Sequence, residues 1–135
     1  MEKILGKNSA HIYALLRIVA GFMIMLHGTQ KLFGFPPSGK PGGGGGGLSP
    51  LMAAAGGIEM VCGLLIMIGL LAGWAAFLAS GTMAVAYFMV HQQGGALPIQ
   101  NGGELAALYC WLFLYIASRG SGAWSVDALR SKDSA

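Results

Sequence analysis

Charge is scarce in this 135-residue chain: Lys and Arg number 8, Asp and Glu 5, so only 10% of residues are charged. Soluble domains usually carry about 25%. With 55% hydrophobic residues and a mean hydropathy of +0.64, too little polar material remains to coat a water-soluble globule, so an integral membrane protein is expected. The net charge of +3 is dispersed, and no basic run carries interleaved aromatics, which argues against nucleic acid as a partner. Cysteine is equally sparse. Cys62 and Cys110 form neither a CxxC pair nor a zinc-ligand spacing, and both lie in apolar segments as small packing residues. His27 has no second ligand at fixed helical spacing, so no metal site is expected. Strict apolar/polar alternation is missing too, which argues against a β-barrel. Met1 to Ser9 lacks a short apolar core followed by a cleavage site, so the first hydrophobic stretch is expected to be a retained helix.

What is present are four apolar segments, roughly 11–34, 49–71, 73–91 and 103–119. A helix needs about 20 apolar residues to cross ~30 Å of hydrocarbon, and backbone groups in lipid must bond within their own segment. The expectation is an all-α, four-helix transmembrane bundle forming a single domain over residues 1–135. The first connection, FPPSGKPGGGGGGLSP from Phe35 to Pro50, is expected to be a flexible loop outside the bilayer core. The second, near Ala72–Gly73, is so short that helices two and three must form a tight antiparallel hairpin. The third, Gln92 to Gly102, is polar and Gly/Pro-containing. In the tail, Ser125 is placed to cap a short helix whose N-terminus Asp127 favours.

Lys3, Lys7, Arg119, Arg130 and Lys132 sit near the two termini, against Lys31 and Lys40 on the opposite side. By the positive-inside rule both termini are expected to be cytoplasmic, with the Gly/Pro-rich loop after helix one facing outward. Tyr13 and Trp74 then fall at the inner interface, and Phe33, Phe35, Tyr87 and Phe88 at the outer one.

Against this background, two charges stand out. Arg17 interrupts IYALLRIVAGFMIMLHG, and Glu59 interrupts LSPLMAAAGGIEMVCGLLIMIGLL. Each costs roughly 2.5–3.5 kcal/mol near a helix centre on insertion scales, so a stable bundle should hide and pair them. At ~1.5 Å per residue, His27, Gln30, Lys31, Glu59, His91, Asn101 and Glu104 all fall in the outer half, contributed by four segments. Helical phase puts Arg17, His27 and Lys31 on one arc of helix one with Gly21 and Gly28, whose small size lets a neighbour approach; Gln30 lies off it. Structural roles stand beside functional ones. Arg17 and Glu59 can form a buried ion pair, but their depths differ by roughly 10 Å, and Glu59 otherwise lies nearer His27 or Lys31. Lys31 can snorkel, His91 can simply end helix three, and Asn101-Gly102-Gly103-Glu104 reads as a capping box. As functional groups, Glu59, His27 and His91 are the candidate proton carriers, with Arg17, His27, Gln30, Lys31, Glu59, Asn101 and Glu104 as candidate cofactor-binding residues.

Arg17 followed by His27-Gly28-Thr29-Gln30-Lys31-Leu32-Phe33-Gly34, then Glu59 before Gly63-Leu64-Leu65, His91, Asn101-Gly102-Gly103-Glu104 and Trp124-Ser125-Val126-Asp127-Ala128 resembles the DoxX family of small bacterial four-helix membrane proteins. The likeness runs from about Leu15 to Leu129 in one order, and the glycine run of the first loop departs from it. It implies a multi-pass protein of the bacterial plasma membrane, in contact with the lipid bilayer. Relatives include a membrane subunit of a thiosulfate:quinone oxidoreductase, and membrane partners of a superoxide dismutase and a thiosulfate sulfurtransferase. Two readings follow. One is an accessory subunit of a membrane oxidoreductase system with a quinone-interacting pocket. There His27, Gln30 and Lys31 donate hydrogen bonds, while Glu59, His91 and Glu104 relay protons. The sequence has no haem-ligand pair at matching depth, flavin fingerprint or iron–sulfur spacing, so electrons would come from a partner protein or a small reductant. The other is a non-catalytic scaffold of a larger membrane complex. A solute channel is less attractive, because the halves show no inverted repeat.

Overall fold

A computed structural model describes residues 1–37 and 47–133. Within them the protein is helical, with no strand among the described residues. Helix α1 (Ser9–Phe33) continues a helical N-terminal stretch through Glu2–Leu5 and the turn Gly6–Asn8. Helix α2 spans Pro50–Ile68 and α3 Ala72–Ala86, which runs on into a π-helical turn, Tyr87–His91. After a helical turn at Pro98–Asn101 come α4 (Glu104–Arg119) and the short α5 (Val126–Asp133). Among the described residues three stretches are long and apolar enough to cross a membrane: Glu2–Phe33, Pro50–Ile68 and Ala72–Gly94. At 16 residues, α4 is shorter than the ~20 a perpendicular crossing takes. Most of the Gly/Pro-rich run, residues 38–46, lies outside the described residues, and with it the expectation of a flexible loop there.

The helix ends follow from local chemistry. Ser49 caps α2 by accepting from the Met52 amide at 3.3 Å, and Pro50, which has no amide hydrogen to leave unpaired, takes the first helical position. At the other end Gly69, at φ 73°, adopts the left-handed conformation that lets its own amide and that of Leu70 bond back to Leu65. The reversal is complete by Leu71, itself at φ 49°, so the expected hairpin forms, with α2 ending three residues earlier than its apolar pattern.

Helix α1 packs chiefly on α2, α3 on α4, and α2 on α3. The α1–α2 contact is made backbone to backbone. A Cβ at Gly21 would stand 2.5 Å from the Met67 amide nitrogen, and one at Gly63 would stand 2.6 Å from that of Met25. Gly28 meets Met60 and Gly56 in the same way one heptad along. Only glycine permits this approach. Ile24, Ile66, Phe113 and Ile116 fill the centre of the core, with Ala76 and Ala79 where α3 crosses. The outer surface is the inverse of a soluble protein's: Trp74 is 79% and Trp111 70% exposed, with Phe77, Leu108 and Val61 also outward. Lipid is the solvent such a surface fits.

Tyr13, one of the expected inner-belt aromatics, is turned into the protein rather than outward: its hydroxyl donates to the Gly120 carbonyl at 2.5 Å and Arg119 stacks over its ring at 5.5 Å. The tail closes that end. Ser125 accepts from the Ala128 amide at 3.1 Å, as a cap should. Asp127 accepts from the Leu71 amide (2.8 Å) and the Ser121 hydroxyl (2.6 Å), fastening α5 to the α2–α3 hairpin.

Candidate functional site

The buried charges form two separate centres. At the end that carries the termini, Arg17 is wholly buried and donates only to main-chain carbonyls: Ile66 at 2.6 Å, Met67 at 2.9 Å, Ala123 at 3.2 Å and Trp124 at 2.8 Å. The planar guanidinium fork suits this job. One nitrogen meets the last carbonyls of α2, where the helix dipole favours a cation, while the other holds the segment entering α5. The Arg17–Glu59 ion pair, one arrangement the sequence left open, does not form. Glu59 lies seven or eight residues before the carbonyls Arg17 holds, about 10–12 Å along α2.

Glu59 instead pairs with Lys31, Nζ to Oε1 at 2.5 Å. The carboxylate is 1% exposed and the lysine 27%, so the charge is neutralised at the bundle's edge rather than in its centre. The second carboxylate oxygen, Oε2, is buried without a hydrogen-bond partner among the described residues. So is the Tyr109 hydroxyl. Both residues line one cavity of about 280 Å³, walled by α1, α2, α3 and α4 and by the π-helical turn, with His27, Lys31 and His91 also on its wall. Orphaned buried polar atoms are rare and each costs about 1–3 kcal/mol, so two of them on residues that line one cavity mark a candidate place for a polar group.

The wall is rigidly held. Tyr109 stacks on Phe113 (centroids 5.3 Å apart, planes 7° apart) and meets the His27 ring edge-on at 6.3 Å. His91 Nδ1 lies 3.3 Å from the Asn101 carbonyl. Since the carbonyl only accepts, the bond places the proton on Nδ1 and leaves Nε2 an acceptor in the neutral ring. Asn101 does not cap α4. Gly102 at φ 68° turns the chain first, and the Asn101 side chain accepts from the Gly103 amide (2.8 Å) while donating to Gly95 (3.0 Å) and the Tyr87 hydroxyl (3.3 Å). The capping box is therefore replaced by a knot that shapes the cavity rim. Helix α4 starts from Gly103, and Glu104, exposed in its first turn, is off the cavity wall. Gln30 also points elsewhere, donating to the Pro36 carbonyl at 2.9 Å.

Of the sequence candidates, His27, Lys31, Glu59 and His91 thus converge; Arg17, Gln30 and Glu104 do not line the cavity, and Asn101 supports it from behind. Tyr109 and the π-helical turn were not anticipated. Tyr109 sits in an apolar run with nothing local to set its hydroxyl apart, and the extra residue in the turn has no sequence mark. Such turns recur at functional sites. Among the described residues no group of three His, Cys, Asp or Glu side chains is placed to hold a metal ion.

The model of the DoxX family matches residues 12–92, a stretch that holds both buried charges and three of the four cavity-lining helices. A Haemophilus influenzae protein, named only as an uncharacterized protein, is 45% identical over 126 residues, covering 91% of this chain and 93% of that relative. No solved structure matches.

Proposed function

The chain belongs to the DoxX family, and from that premise we propose an accessory subunit of a membrane oxidoreductase system, whose polar cavity receives the ring of a lipid-soluble quinone. In this reading four helices cross the bacterial plasma membrane, α4 through its polar flanks, and both termini are cytoplasmic. The basic residues near the termini, Lys3, Lys7, Arg119 and Lys132, support that orientation, which puts the cavity in the outer half of the bundle.

The observation that carries the reading is the pairing of opposite unmet needs in one cavity. Tyr109 offers a hydroxyl donor and Glu59 Oε2 an acceptor, each buried and without a partner among the described residues. A quinone ring has carbonyl oxygens that accept hydrogen bonds and, when reduced, hydroxyls that donate them. When bound, it would supply two-electron, two-proton redox chemistry. The chain's own residues would orient it and manage protons. Tyr109 and Lys31 would donate to ring oxygens, Glu59 Oε2 would accept, and His27 and His91 stand on the wall as candidate proton carriers. Electrons would come from a partner protein or a small reductant.

The test is equilibrium binding of a soluble short-chain quinone to the purified protein in nanodiscs. Binding of the quinone and of its reduced quinol is expected, and Glu59→Gln, which keeps the shape but offers an amide donor in place of one accepting oxygen, should weaken the hydroxyl-bearing quinol tenfold or more. Absence of binding to the unmodified protein would remove the proposal.

A scaffold role is the second reading, favoured by one observation: Arg17 spends its hydrogen bonds on main-chain carbonyls, as a staple does. It expects an oxidoreductase that co-purifies and whose turnover is indifferent to Glu59→Gln.

A further inference from the structure

Beside the polar cavity, the lipid-facing side of α2 and α3 carries a second, larger hollow of about 660 Å³. Small residues, Ala54 and Ala55 on α2 and Gly81 and Ala84 on α3, open space along it between larger apolar ones such as Leu51, Phe77 and Met89. A Cβ at Gly81 would meet nothing within 4 Å. Its chemistry is the reverse of its neighbour's. The two hydroxyls along it are already satisfied, Ser80 donating to the Cys110 carbonyl at 2.8 Å and Thr82 to that of Leu78 at 3.0 Å. The hollow therefore offers apolar surface and asks for no hydrogen bond.

The two spaces adjoin. Lys31, Ala86 and His91 line both, so the Lys31–Glu59 pair stands on the partition between them. At about 280 Å³ the polar cavity is at or below the small end of ligand sites, which run from roughly 300 to 1,000 Å³. It has room for a ring and little else, so the rest of any larger occupant must leave past this partition. A molecule that satisfies both spaces at once has a hydrogen-bonding head and a hydrocarbon tail.

We propose that the hollow between α2 and α3 seats the hydrocarbon tail of the quinone whose ring enters the polar cavity, so that the molecule is admitted sideways from the bilayer past Lys31 and His91. This rests on the quinone reading of the cavity and adds the tail's seat and the route of entry. The 27% exposure of Lys31 suits a side chain that swings on its stem as the head passes.

Two probes separate the head from the tail: a benzoquinone bearing a decyl chain, and the same ring with a methyl group instead. Each is titrated into the full chain in phosphatidylcholine nanodiscs, and variants are compared with the unmodified protein probe by probe, so that partition into lipid cancels. Gly81→Phe fills the hollow from α3 and Ala54→Leu does so from α2. Both are expected to weaken the decyl probe at least tenfold and to leave the methyl probe within twofold. Gly57→Phe adds the same bulk at another position with free space and off both linings, and should change neither. Unchanged decyl affinity in both filling variants, or equal weakening of both probes, overturns the tail seat while leaving the ring site standing. Native mass spectrometry that finds a phospholipid lost from Gly81→Phe, with decyl affinity intact, also overturns it, by assigning the hollow to an acyl chain. Failure of the unmodified protein to bind either probe removes the ring site and the tail seat together.

Discussion

If Lys31 and not Arg17 is the partner of Glu59, the two lysine–glutamate and arginine–glutamate pairs must respond oppositely to double substitution. Lys31→Met strands a carboxylate that is 1% exposed. Removing one member of a buried pair costs roughly 3–5 kcal/mol because the other charge is left uncompensated. Glu59→Leu is milder, because the partly exposed Lys31 can extend toward the interface, and about 1–2 kcal/mol is expected. With both replaced, no buried charge remains and an apolar pair fills similar volume, so the double variant should lie within about 1–2 kcal/mol of the parent. The resulting coupling energy is about 2–7 kcal/mol. For Arg17→Met with Glu59→Leu the sites are about 10 Å apart and share no partner, so the two costs should add within ~0.5 kcal/mol. Unfolding in mixed micelles by titration with sodium dodecyl sulfate, followed by tryptophan fluorescence, measures both cycles. A Lys31/Glu59 coupling below ~0.5 kcal/mol, or an Arg17/Glu59 coupling above ~1 kcal/mol, would refute the assignment of partners.

Arg17→Lys should not rescue the staple, since one ammonium cannot reach both carbonyl pairs that the fork spans; a loss of about 2–4 kcal/mol and earlier proteolytic release of α5 are expected, and parent-like protection of α5 would contradict the staple. Gly28→Ala should force α1 and α2 apart at a cost of about 1–3 kcal/mol, while Gly57→Ala, with open space around its Cβ, should gain ~0.5–1 kcal/mol from helix propensity; the same unfolding titration reads both, and equal effects would contradict the close approach. Tyr109→Phe removes a buried hydroxyl that has no partner among the described residues, so stability should hold or rise by up to ~1–3 kcal/mol while quinone affinity falls. A variant that loses stability and keeps its affinity would mean the hydroxyl serves the fold.

The hairpin of α2 and α3 and the Ser125 cap were legible in the sequence because each depends on neighbours along the chain: an apolar run's length, a two-residue connection, a hydroxyl three residues before an amide. The same holds for Gly21 and Gly28, whose shared helical phase pointed to a close neighbour before Met67 and Met60 were known to be it. Depth along the axis was legible as well, and His27, Lys31, Glu59 and His91, grouped by it, line one cavity. Rotation was legible only within helix one, where phase already set Gln30 off the polar arc, and it turns to Pro36. Glu104 has the right height and the wrong azimuth, turning to the surface. Asn101 has the right sequence spacing for a cap, but Gly102 adopts a left-handed conformation and turns the chain before α4 begins.

Composition and hydrophobic spacing alone settle that this chain places apolar helices in a membrane with two charges to be hidden, because hydration and backbone hydrogen bonding are local demands. Which cation each hidden group meets depends on how helices distant in sequence are phased and staggered, and that was decided by tertiary packing. The backbone contacts of Gly21, Gly28 and Gly63 lock α1 against α2 at one register, and that register sets Lys31 beside Glu59 and leaves Arg17 at the far end to hold carbonyls. Glu59 and Tyr109, whose Oε2 and hydroxyl have no partner among the described residues, line one cavity for the same reason, since they come from helices that have no local means of finding each other.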